Sequence, residues 1–205
     1  MSTMLIELKN ASKSYLDKDF NLQIKKGDFW LVTGTNGSGK TTLLRLILGF
    51  IKEDGGNIKL SRKLSLNYLP EKVNLPPYLS SLEYLLLIAK IKKVELDLDL
   101  LLLLEIPLYK KIAHLSKGNY QKVAICSALI GESDLIILDE PLSGLDRKMT
   151  NRLKKIIKNY QETGKSFLIS THNPKAFQKM ATNFLELWLN TFLSIFFIKE
   201  CASSL

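Results

Sequence analysis

Two kinds of hydrophobic pattern alternate along the chain. Leu5, Ile6 and Leu8 cluster around Glu7, and Phe20, Leu22 and Ile24 alternate with Asn21 and Gln23, so both segments read as strands. After Gly27, residues 29–33 are continuously apolar and end at a glycine-rich loop. Residues 40–49 have helical spacing with a glycine stop, and Gly55–Gly56 marks a turn before strand-like residues 57–60 and 64–69. From Ser81 to about Gly131 the pattern is leucine-rich and helical, interrupted at Pro107 and Gly118. Residues 135–138 predict a buried strand. Met149, Leu153, Ile156, Ile157 and Tyr160 predict one face of a long helix ended by Gly164, and residues 166–170 predict another strand. Residues 184–198 predict a hairpin turning near Asn190 and Thr191. Strand–loop–helix units around one helical block predict an α/β fold, with a helical subdomain over about residues 72–133 inserted in one domain spanning 1–205.

Composition narrows the class. The 205 residues are 46% hydrophobic and 9% aromatic, enough to bury a core, which excludes a disordered chain. The net charge of +9 calls for an anionic neighbour: nucleotide, nucleic acid or an anionic membrane surface. Cys126 and Cys201 lack disulfide-scaffold or zinc spacing. The opening MSTMLIELKN has no apolar signal core. Residues 100–104 are flanked by Asp99 and Glu105, and residues 184–198 carry Glu186. Both fall short of the ~20 residues of a spanning helix. A reducing, cytosolic location is expected.

The sharpest signal is Gly34-Thr35-Asn36-Gly37-Ser38-Gly39-Lys40-Thr41, which matches G-x-x-x-x-G-K-[ST] after a predicted strand and at the opening of a helix. Glycines let the backbone approach phosphate oxygens, and successive N–H groups form an anion nest that the helix N-terminus, with Thr42, reinforces. Lys40 supplies a full charge to the β- and γ-phosphates, and the Thr41 hydroxyl completes a magnesium shell. A nucleotide with Mg2+ is the expected cofactor. A second signal is the apolar run 135–138 followed by Asp139 and Glu140. A strand leaving a core delivers such acids to the carboxyl edge of the sheet, where Asp139 can hold magnesium and Glu140 can polarise an attacking water.

The order of these landmarks resembles the ATP-binding cassette (ABC) ATPases over about residues 4–180. Leu115-Ser116-Lys117-Gly118-Asn119 is similar to the family signature L-S-G-G-Q, with Lys117 and Asn119 as departures. The resemblance implies the ABC type of P-loop NTPase fold, a mixed sheet core with the helical insert and an N-terminal antiparallel β part. It also implies that Ser116 and Gly118 complete the γ-phosphate site of an opposing subunit. Ser143-Gly144-Leu145-Asp146 resembles the loop that touches that subunit. In Ser170-Thr171-His172 the His172 imidazole is the implied γ-phosphate contact, while His114 stays unassigned. Tyr15 falls where the family stacks an aromatic on adenine, with Phe20 a weaker candidate. Glu71, in Leu69-Pro70-Glu71, occupies the position of the family's magnesium-linked glutamine.

The activity implied is ATP hydrolysis driving transport. The implied partners are separate transmembrane permease subunits and a second cassette, in a homodimer or heterodimer, with no direct nucleic acid. The location is then cytoplasmic, peripheral on the inner face of the membrane, and residues 82–89 could dock there or serve as core. The forms of residues 69–71 and 115–119 resemble exporter-type cassettes. A nucleic-acid or ribosome-linked ATPase is the alternative, on the six basic residues and no acid of segment 147–158. An ATP-binding regulatory cassette without turnover is a third reading.

Overall fold

The computed structural model describes residues 3–188. Three strands form an antiparallel sheet: β1 (Met4–Ser12) lies between β2 (Asp19–Lys25) and β4 (Gly55–Leu60). Five others form a second sheet: β3 (Phe29–Gly34), β5 (Leu66–Leu69), β6 (Leu135–Asp139), β7 (Ser166–Thr171) and β8 (Asn183–Leu187). Its order is β5-β6-β7-β3-β8, and every pairing in it is parallel. The antiparallel part expected near the N-terminus is thus present, beside a core sheet that is parallel throughout the described residues.

Parallel strands need crossovers, and the helices supply them. These are α1 (Lys40–Ile47), α2 (Ser81–Lys92), α3 (Leu98–Leu103), α4 (Lys117–Leu129) and α5 (Arg147–Glu162). The central strands β3, β6 and β7 of the parallel sheet are buried on both faces because both are covered. Leu31, Ile136, Leu138 and Phe167 pack in one core with α4, α5 and the helical insert. Trp30, Val32, Leu135 and Ile137 pack in the other with α1 and the antiparallel sheet. Leu85 and Ala89 of the insert belong to the first core, while Leu86 and Leu87 are exposed.

Two expectations change. Gly118 does not interrupt the helical block; it sits in the first turn of α4, behind Ser116 as N-cap. The break falls earlier, around the expected Pro107: α3 stops at Leu103 with Leu104 as its C-cap, and Glu105 takes a left-handed φ of 50°. Phe20 is fully buried beneath the glycine-rich loop, where a Cβ on Gly39 would lie 3.4 Å from its ring, so it packs as core and cannot stack on a base. Of the expected terminal hairpin, residues 183–187 are the edge strand β8; its turn and second arm lie outside the described residues.

Candidate functional site

All five parallel strands deliver their carboxyl ends to one edge of the sheet, and the site assembles there. Gly34 ends β3 where no other residue fits: a Cβ there would lie 2.1 Å from the Leu187 carbonyl oxygen and 2.5 Å from Ser38 Oγ. Gly39, with φ 97°, is the N-cap of α1 and offers no side-chain cap. The first amides of α1 therefore keep their donor capacity for an anion. Lys40 Nζ donates to the carbonyls of Gly34 at 2.8 Å and Thr35 at 3.0 Å, which arches the side chain back over its own loop.

A cavity of about 440 Å³ opens here, lined by Asn36, Gly37, Ser38, Gly39, Lys40, Thr41 and Thr42 together with Glu71, Asp139, Glu140, Ser143 and His172. Residues predicted from four separate segments thus meet in one space. A larger cavity of about 680 Å³ lies against Lys26, Asp97, Asp134 and Tyr160, and none of the predicted residues lines it. Volume alone does not mark the chemistry.

Asp139 is 2% exposed, and its two oxygens differ. Oδ1 accepts a short hydrogen bond from Ser170 Oγ, its register partner on β7. Oδ2 is buried without a protein partner, as is Ser38 Oγ on the loop opposite. Burial holds the Asp139 carboxyl above the usual aspartate range, the Ser170 bond works the other way, and the negative charges of Glu71 and Glu140 add to the rise. An oxygen left bare at that cost suits a cation. Among the described residues no three acidic, imidazole or thiol groups converge as a metal cage. Magnesium does not require one, because it takes one or two protein ligands and fills its shell with phosphate oxygens and water. Asp139 Oδ2 and the Thr41 hydroxyl fit that role, and Glu71 lies on the same cavity.

Glu140 follows with a left-handed φ of 48°, a conformation that costs a non-glycine residue on the order of 1 kcal/mol. Its N–H donates to the Ser170 carbonyl at 3.0 Å. Its carboxylate accepts the His172 N–H at 2.8 Å and the Thr171 hydroxyl at 3.3 Å, and lies 2.8 Å from His172 Nδ1. The end of β7 therefore fixes Glu140, while the His172 ring stays 74% exposed. Ser170 and Thr171 hold both acids in place. The signal that could have found them is a pair of hydroxyls closing a buried strand.

The family model described as ABC transporter matches residues 18–143. The chain belongs to the ABC transporter family. It is an ATP-binding subunit of that family, an ATPase cassette. An uncharacterized ABC transporter ATP-binding protein of Methanocaldococcus jannaschii is 34% identical over 89% of this chain and 73% of its own length. The ergothioneine transport ATP-binding protein of Helicobacter pylori is 34% identical over 89% of this chain and 97% of its own. The spermidine/putrescine import ATP-binding protein of Fusobacterium nucleatum is 36% identical over 82%, and this chain spans 50% of it. A bacterial ABC transporter cassette solved as a dimer superposes with a TM-score of 0.77 at 26% identity, covering 90% of this chain and 94% of that one. Import is what the Fusobacterium relative is named for, so the leaning toward export that residues 69–71 and 115–119 suggested finds no support.

The ABC signature lies apart from the cavity. Ser116 is the N-cap of α4, and its hydroxyl accepts the Asn119 N–H at 3.3 Å. A Cβ on Gly118 would lie 2.9 Å from the Gly144 carbonyl, and the Lys117 stem covers Gly144. Gln121 Nε2 donates to the Pro141 carbonyl at 3.2 Å, and Asp146 caps α5 by accepting the Met149 N–H at 2.7 Å. The signature and the 141–146 loop are one packed unit. Tyr15 stands 64% exposed in the turn between β1 and β2, with Lys13 Nζ 5.7 Å from its ring centre. Asp54 anchors that turn by accepting the Ser14 N–H at 2.7 Å, and Leu16, rather than Tyr15, lines the cavity. His114 is exposed in the turn before α4.

Proposed function

We propose that this ABC cassette binds ATP·Mg at the carboxyl edge of its parallel sheet and hydrolyses it within a pair of cassettes that drives separate membrane subunits. The observation that carries the reading is that Asp139, whose Oδ2 is buried and without a partner, lines one cavity with an uncapped helix N-terminus and a lysine. The glycine-rich loop amides and Lys40 take the phosphates, and Tyr15 stacks on the base from the exposed turn. Thr41 and Asp139 would hold magnesium, which when bound would neutralise charge on the phosphate oxygens, and Glu71 would lie within reach of its shell. Glu140 orients the attacking water, and His172, braced against Glu140, donates toward the γ-phosphate. Ser116, Gly118 and the α4 N-terminus serve the nucleotide of a second copy of this chain.

Among the described residues no helix is long and apolar enough to cross a membrane, which supports a peripheral position beside membrane subunits that choose the cargo. The positive charge suits an anionic leaflet. On α5, Lys148 and Arg152 pair with Glu105, and Lys158 with Glu162, which counts against a free nucleic-acid-binding face. Phosphate release with saturating ATP·Mg tests the reading. Glu140→Gln is expected to keep ATP binding and lose about 100-fold or more in turnover. Loss of less than about threefold would remove Glu140 from the chemistry. Glu71→Gln separates roles further: a severe loss would show that the carboxylate itself is needed.

A further inference from the structure

Lys18 lies outside every motif, at the end of the turn between β1 and β2. Its ammonium donates two hydrogen bonds, to the Ser38 carbonyl at 2.9 Å and to the Trp188 carbonyl at 2.7 Å. Ser38 and Gly39 belong to the phosphate loop; Trp188 follows β8, whose Leu187 is paired with Gly34 at the loop's root. Lys18 therefore ties the loop to the strand edge from which it springs. It does so from behind: Lys18 does not line the nucleotide cavity, and its stem lies 3.8 Å from where a Cβ on Gly39 would stand.

A trans peptide points its carbonyl and its N–H in opposite directions. Fixing the Ser38 carbonyl on the far side aims the Gly39 N–H at the cavity. We propose that Lys18 is a positioning residue for phosphate binding: by holding the Ser38 carbonyl outward, it sets the direction of the Gly39 amide within the anion nest. The proposal rests on the ATP-binding reading of the loop and adds a residue that acts through the backbone without touching nucleotide. The two carbonyl contacts also distinguish it from a lysine that merely adds charge, since neither bond reaches into the cavity. Leu16, two residues earlier, does line the cavity, so one turn serves both the phosphate loop and the cavity wall.

Two variants separate positioning from folding. Lys18→Met keeps the stem and removes the donors, whereas Lys18→Arg keeps donors. Binding of ATP·Mg and ADP·Mg is measured by titration, KM and kcat by phosphate release, and melting without nucleotide by calorimetry. Lys18→Met is expected to weaken ATP and ADP alike by about tenfold, the scale of one charge-assisted hydrogen bond. The loss should fall on KM rather than kcat, and Lys18→Arg should recover most of it. Unchanged affinity in Lys18→Met overturns the proposal. So does an Arg variant that melts like the wild type yet binds as weakly as the Met variant. A wild-type protein that binds no ATP would instead overturn the reading of the loop.

Discussion

At the scale of single residues, Asp139 sets two requirements against each other. Its carboxylate is buried and repelled by Glu71 and Glu140, which raises its pKa and penalises the ionised form in the nucleotide-free protein. The unfolded chain, with an ordinary aspartate, ionises at lower pH. Stability thus falls as pH rises from the ordinary aspartate pKa through the raised folded value, and the deficit persists above it. Asp139→Asn keeps an acceptor for Ser170 and removes the charge. It should therefore melt a few degrees higher than the wild type at neutral pH, by calorimetry, while binding ATP·Mg far more weakly. Metal binding needs the ionised form, so affinity for ATP·Mg should decline on acidification from a higher pH than an unshifted aspartate would give, as a titration series shows. At Gly34 the conflict is steric. Gly34→Ala drives a Cβ into the Leu187 carbonyl, and urea unfolding should register a loss of about 3 kcal/mol or more.

At the scale of elements, α4 and the 141–146 loop act together. Gln121 holds the Pro141 carbonyl, one residue past Glu140, and the Gly118 backbone abuts Gly144, so the start of the signature helix and the loop that follows Glu140 share a frame. Gln121→Leu should preserve ATP binding and slow turnover about tenfold, read by parallel titration and phosphate release; equal turnover would uncouple the two elements. This link also shows what could be read from the chain. Strands such as β3 and β6 declared themselves because a fully covered parallel strand has to be continuously apolar. Helix α5 did so because its apolar residues recur on one face. Gly118 misled because glycine weakens a helix interior, yet in a first turn behind a serine N-cap that weakness costs little. The contacts of Lys18 and Gln121 carry no local signature: each joins residues distant in the chain, and any surface lysine or glutamine looks the same in sequence.

At the scale of the whole molecule, one topological fact makes the site. Because β5, β6, β7, β3 and β8 all run parallel, the loop after Gly34, the acids at the end of β6, the histidine after β7 and Glu71 after β5 emerge on the same edge. The motif residues were legible as chemistry, and their convergence followed from strand–helix alternation. The strand order was not legible, since apolar alternation does not encode which strands are neighbours; the antiparallel part was expected only through the family resemblance. The signature on α4 lines no part of its own cavity, which fits the proposal that Ser116 serves the nucleotide of a second molecule. The most direct test of a paired ATPase is the mass of the Glu140→Gln protein in solution, by light scattering, with saturating ATP·Mg and then with ADP·Mg. The 23.3 kDa chain should double its mass with ATP·Mg and remain single with ADP·Mg. A protein that binds ATP·Mg and stays at the monomer mass would contradict the account.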